Sequence, residues 1–81
     1  MYEDVKEQIV VGAVFKNGHA IPRTFVWKER KYTVDQITLE HTEKRGNNIL
    51  FCYSLTSAGN FYELSFDNIN LIWQLERVWQ E

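Results

Sequence analysis

Hydrophobic and polar residues alternate along this chain in short stretches broken by turn residues, the period-2 pattern of strands with one covered face. The clearest stretch runs Phe25-Val26-Trp27, then Lys28-Glu29-Arg30-Lys31, then Tyr32-Thr33-Val34. It reads as strand, tight reversal, strand. Six such segments are expected. In the first, from Gln8, Ile9, Val11, Ala13 and Phe15 alternate with Val10, Gly12 and Val14, so both faces look apolar and largely covered. Gly12 within it suggests a bend or bulge. Asn17-Gly18 marks a hairpin, because both residues tolerate positive φ.

The second strand is expected over about Arg23–Lys28, because Pro22 lacks a backbone donor and belongs at a strand start or on an edge. The third, over about Lys31–His41, changes phase. Tyr32 and Val34 are even-numbered, whereas Ile37 and Leu39 are odd, and one apolar face survives only if a β-bulge falls near Asp35-Gln36. Glu43–Asn47 reads as a polar turn. Ile49, Phe51, Tyr53 and Leu55 then share one face, followed by Tyr62, Leu64 and Phe66, and by Leu71, Trp73 and Leu75. Val78 is out of phase with that last series, which places a second bulge or a strand end near Glu76-Arg77. A helix over Leu71–Glu81 is the competing reading, since Ile72, Leu75 and Trp79 also fit helical spacing; the preceding Asp67-Asn68 turn favours a strand.

Six sequential strands with short connections form an antiparallel meander. Curling it into a small barrel or strongly curved sheet removes its open edges. The expected fold is therefore all-β. Residues 1–7 form a polar N-terminal segment that frays or makes one helical turn, and 8–81 form a single β-barrel-like domain. Its core should contain Phe25, Trp27, Tyr32, Val34, Phe51, Tyr53, Tyr62, Leu64, Phe66, Trp73 and Leu75.

Composition narrows the picture. The 81 residues are 44% hydrophobic and 15% aromatic, and each aromatic buries on the order of 150–250 Å². That lets one small domain hold together without a disulfide, which the single Cys52 excludes within the chain. One cysteine fits a reducing, cytoplasmic setting. No apolar run approaches the ~18 residues of a membrane helix, and the acidic Met1-Tyr2-Glu3-Asp4 start does not resemble a secretion signal. The net charge of −2 disfavours a protein whose main work is coating nucleic acid or anionic membrane.

The spacing Pro22-x-x-Phe25-x-Trp27-x-x-Arg30-x-Tyr32-x-Val34-x-x-Ile37 resembles a small bacterial β domain of unknown function. So does the later Tyr62-Glu63-Leu64-x-Phe66-Asp67 with Trp73-x-Leu75-x-x-Val78-Trp79. Glu29 stands where that hairpin often has Gly, and His41 near a position often taken by Trp. The resemblance implies the fold and leaves function open.

Candidate chemistry is sparse. His19, His41 and Cys52 are too few, and at no short spacing, for a zinc motif, so neither a metal nor a cofactor is expected. Cys52 between Phe51 and Tyr53 reads as a packed strand residue rather than a nucleophile. Glu63, Asp67 and Glu76 read as surface acids. No phosphate loop or nucleophile elbow occurs, so no enzymatic activity and no catalytic residue are expected.

The leading expectation is a non-catalytic interaction module that binds a protein partner or itself. A small barrel cannot place Val10, Val14, Leu50, Ile72 and Trp79 all inside, and Val10, Val14, Ile72 and Trp79 are the candidate contact surface. The alternative is a weak single-stranded nucleic-acid binder using Arg23, Lys28, Arg30 and Lys31 among Phe25, Trp27 and Tyr32. A third reading is a small-ligand pocket lined by aromatics in the barrel mouth.

Overall fold

In the computed structural model, which describes residues 1–79, the chain is all-β. Seven strands run in sequence: β1 (Tyr2–Lys16), β2 (His19–Trp27), β3 (Arg30–Thr33), β4 (Gln36–Arg45), β5 (Asn48–Ser57), β6 (Asn60–Asp67) and β7 (Ile72–Trp79). They form one antiparallel sheet in the order β3-β2-β1-β7-β6-β5-β4. Among the described residues no helix is long and apolar enough to cross a membrane. The last two positions of the expected 8–81 domain lie outside the described residues.

Four expectations need correction. The six strands are seven, because the expected third strand is divided at Val34-Asp35 into β3, which pairs with β2, and β4, which pairs with β5. The phase change resides partly in that break and partly in a register shift between Ile37 and Leu39, further along than Asp35-Gln36. The sheet is not closed into a barrel, since its edge strands β3 and β4 do not pair with each other. Residues 2–7 are neither frayed nor helical but the first half of β1, where Tyr2, Glu3, Asp4 and Glu7 pair with β7.

The two edges are nevertheless tied at a corner. The Val34 amide donates to the Arg23 carbonyl and the Asp35 amide to the Thr56 carbonyl, both at 2.8 Å. The Ser57 hydroxyl donates to the Thr33 carbonyl at 2.7 Å, and the Asp35 carboxylate accepts from the Ala58 amide at 3.0 Å. A two-residue link thus carries the chain from one edge of the sheet to the other and forces it to curl.

β1 makes this curl possible by serving two partners. Its residues from Tyr2 to Ile9 pair with β7, and those from Val10 to Lys16 with β2. Gly12 sits where the β1–β2 register shifts, and a Cβ there would lie 2.6 Å from the Thr24 hydroxyl oxygen. The glycine therefore permits a close approach of two strands at the bend. Pro22 is buried within β2 rather than at its start. It is tolerated because β3 pairs only with Thr24–Trp27, so β2 is an edge on that side at Pro22.

At Glu76 the register shifts against both neighbours of β7: Glu63 faces Arg77 while Leu64 faces Leu75, and Asp4 faces Arg77 while Glu7 faces Leu75. This is the bulge expected near Glu76-Arg77. The extra residue returns Val78 to the inner face, where it is buried.

The core fills the concave side. Phe25, Tyr53, Tyr62, Leu64, Phe66, Trp73 and Leu75 are buried in it as expected, while Trp27, Tyr32, Val34 and Phe51 pack half-buried against it. Near the β2–β3 turn, Phe25 stacks on its cross-strand partner Tyr32 with ring centres 4.9 Å apart, and Tyr62 meets Phe25 edge-on at 5.2 Å. Towards the other end, Phe66 stacks on Trp73 at 4.5 Å. These offset and edge contacts add about 0.5–1.5 kcal/mol per pair beyond area burial.

Candidate functional site

Antiparallel pairing puts the β1–β2, β4–β5 and β6–β7 turns at one end of the molecule and the β2–β3 and β5–β6 turns at the other. At the first end the inner face opens into a cavity of about 470 Å³. Phe51, Tyr53 and Phe66 line it, together with Ala20 from the β1–β2 hairpin side. It exists because β3 is only four residues long, so the start of β2 has no neighbour on that side. Phe15 and Leu71 stand on its wall and are 67% and 71% exposed. Phe15 reaches back to the ring of Phe66, 6.2 Å away, and Leu71 is held outward by a turn in which its own φ is +57°. Large apolar side chains presented this way lose no hydration cost until something covers them.

The four expected contact residues divide into two groups. Val10 is 73% exposed and pairs with exposed Val26, while the adjoining Ile9–Trp73 pair brings exposed Ile72 alongside. Val26, Val10 and Ile72 thus form an apolar row across β2, β1 and β7 on the convex face, with exposed Val14 further along β1. Trp79 is exposed too, but it pairs with Tyr2 at the opposite end of β7, rings 5.2 Å apart edge-on. It belongs to no common patch with Ile72.

Arg23, Lys28, Arg30 and Lys31 are exposed, with the last three gathered around the β2–β3 turn. The aromatics interleaved with them face the core: Phe25 is fully buried, and Trp27 and Tyr32 pack against it. Lys28 itself lies over the Trp27 ring, its Nζ 4.7 Å from the centre. The arrangement offers cations without an open stacking surface for bases.

On the convex face of β4 to β7 lies a polar groove of about 300 Å³ that sequence reading missed. Glu76 is buried there. Its carboxylate accepts hydrogen bonds from the Ser65 hydroxyl at 2.6 Å, from the Arg45 guanidinium at 3.2 and 3.4 Å, and from Lys6 Nζ at 3.5 Å. Burial works against its charge, yet the Ser65 and Arg45 hydrogen bonds outweigh it and hold Glu76 below the ordinary carboxylate value. Beside it, His41 Nε2 lies 3.4 Å from Glu43 Oε2, and the Cys52 thiol donates to the same oxygen at 3.5 Å. The hydrogen bonds from His41 and Cys52 keep Glu43 low. Burial and the negative charge of Glu43 push the Cys52 thiol up to about 12, so at neutral pH it is protonated, the opposite of an activated nucleophile.

A signal for this cluster was present in the sequence. A two-residue turn at Gly46-Asn47 pairs Arg45 with Asn48 and therefore His41 with Cys52. Assigning Glu43–Asn47 to a longer polar turn concealed that register. His19 and Phe15 carry no comparable sequence signal, since the cavity they border depends on the shortness of β3. Comparison with protein-family models, with curated proteins and with solved structures finds no match to this chain.

Proposed function

We propose that this chain is a non-catalytic interaction module whose contact surface is the end of the sheet carrying the β1–β2 and β6–β7 turns. An apolar side chain of a protein partner, or of a second copy, seats in the cavity, and the Val26–Val10–Ile72 row with Val14 extends the contact over the convex face. The observation that carries this reading is the pair Phe15 and Leu71, about two-thirds exposed or more, on the wall of an aromatic-lined cavity. Exposed apolar residues around a concavity favour association because covering them removes apolar surface from water. Trp79 lies outside this surface.

A photo-crosslinking residue at position 71, compared with one at Lys28 on the opposite end, tests the proposal in cells. Crosslinking to a discrete protein species from position 71 and none from position 28 is the expected result. Equal crosslinking from both positions, or none from position 71, overturns it.

The same cavity favours a second reading, a small apolar ligand, because its size falls within the roughly 300–1,000 Å³ of ligand sites. A fluorescent naphthalene-sulfonate probe that binds the wild type and loses affinity in Phe15→Glu supports this reading. The nucleic-acid alternative is weaker, because the rings nearest Arg23, Lys28, Arg30 and Lys31 are committed to the core.

A further inference from the structure

His41 and Cys52 are direct cross-strand partners in the β4–β5 ladder, and Glu43 stands two residues from His41 on the same convex face. Three kinds of ligand atom therefore converge: an imidazole nitrogen, a carboxylate oxygen and a thiol sulfur, all within 4.8 Å of one another. We propose that His41, Glu43 and Cys52 form a binding site for a divalent transition-metal cation of the zinc class.

Two of the three ligand separations already fit that ion. Zinc bonds of about 2.0 Å to nitrogen or oxygen and about 2.3 Å to sulfur, at tetrahedral angles, set ligand atoms roughly 3.3–3.5 Å apart. The nitrogen–oxygen and sulfur–oxygen separations here are 3.4 and 3.5 Å. The third edge, between His41 and Cys52, is within 4.8 Å, and coordination requires the exposed imidazole to rotate until it shortens to the same length. Two adjacent strands hold the set, so its spacing is fixed by backbone pairing rather than by a flexible loop.

The ligand chemistry is selective. Thiolate and imidazole favour zinc and its neighbours over magnesium or calcium, which take oxygen ligands. Three protein ligands leave a fourth position, and the polar groove of about 300 Å³ alongside has room for water there. On coordination the Cys52 thiol releases its proton to solvent and the sulfur binds as thiolate, while Glu43 is already a carboxylate and His41 binds as neutral imidazole. Arg45, whose guanidinium lies 3.8 Å from the other Glu43 oxygen, is engaged by Glu76 and so adds little net positive charge.

Cobalt(II) titration of the reduced full chain tests the site directly. Cys52 is the only cysteine, so a near-ultraviolet sulfur-to-cobalt charge-transfer band reports this thiolate alone. The expected result is that band together with tetrahedral visible bands, saturating at a single equivalent and abolished by added zinc. His41→Ala and Glu43→Gln, both at exposed positions, should each weaken zinc binding in a chelator competition by roughly tenfold or more, the least that disturbing a ligand costs. Cys52→Ser should lose the charge-transfer band. Should the buried serine unfold the chain, as circular dichroism would reveal, the other two variants decide. Absence of the charge-transfer band in the wild type, or undiminished zinc affinity in both His41→Ala and Glu43→Gln, overturns the proposal.

Discussion

Glu76 shows how one residue can be misread from sequence and still govern part of the structure. An acid beside Arg77 looks like surface, and the phase change around it signals a bulge without revealing what the carboxylate meets. The bulge in β7 turns it into the shelter of Ser65, Arg45 and Lys6. Hydrogen bonds to a charged group contribute about 1.5–3 kcal/mol, so Glu76→Gln should destabilise the fold by about 1–3 kcal/mol at pH 7. The pH dependence follows from the depressed value. The stabilisation is fully present above the ordinary unfolded carboxylate value of about 4.3 and is lost as pH falls through the lower folded one. Denaturation midpoints of the wild type and Glu76→Gln should therefore converge in acid. A gap that persists unchanged at low pH would show that the carboxylate charge contributes nothing. Core residues read more directly. Trp73, stacked on Phe66 and near Tyr53, should cost about 3–5 kcal/mol as Trp73→Ala, which would leave a domain of this size largely unfolded by circular dichroism.

Among the elements, the turns separate what sequence made legible from what it did not. Asn17-Gly18 and Ala58-Gly59 have positive φ at both residues, as two-residue hairpin turns require. Lys28 and Glu29 adopt the same conformation, with φ of +52° and +62°, without a glycine or asparagine. The left-handed region costs an ordinary residue roughly 1–2 kcal/mol, so the double change Lys28→Asn with Glu29→Gly should raise stability by about 1 kcal/mol, read as a higher melting temperature. An unchanged or lower melting temperature would mean that the Lys28–Trp27 contact outweighs the relieved strain. Gly12 works in the opposite sense. Gly12→Ala drives a Cβ towards the Thr24 hydroxyl and should cost about 1–3 kcal/mol, as overpacking does; adding Thr24→Ala should recover part of it. The strand pattern, the NG hairpin and the Glu76 bulge were all readable, because each leaves a phase or turn signature within a few residues. The division of β3 from β4 was not, because it arises from edges meeting across the sheet: Val34 and Asp35 bond to Arg23 and Thr56, which no local pattern joins to them.

For the whole molecule, curling without closure leaves the convex row of Val26, Val10 and Ile72 facing water. Burying apolar surface contributes about 25 cal/mol per Å² removed from water, so even a modest contact across this row and Val14 favours association, and charge placed there opposes it. Val10 and Val14 were legible as outward because strand one is apolar on both faces, and Ile72 because a small barrel cannot hold every apolar residue inside. Trp79 does not join them in one patch, because six residues of strand lie between it and Ile72. If the contact is with a second copy, the average mass in sedimentation equilibrium should rise with protein concentration for the wild type and stay monomeric for Val10→Lys with Val14→Lys. The variant should melt within roughly 0.5 kcal/mol of the wild type, as exposed substitutions do. Salt separates this from binding through Lys28, Arg30 and Lys31. Apolar association should hold between low and moderate ionic strength, whereas phosphate contacts release counterions and weaken steeply. A wild type that remains monomeric at every concentration removes the second copy as the partner, and association that collapses with added salt would shift the contact from the valines to the charged turn.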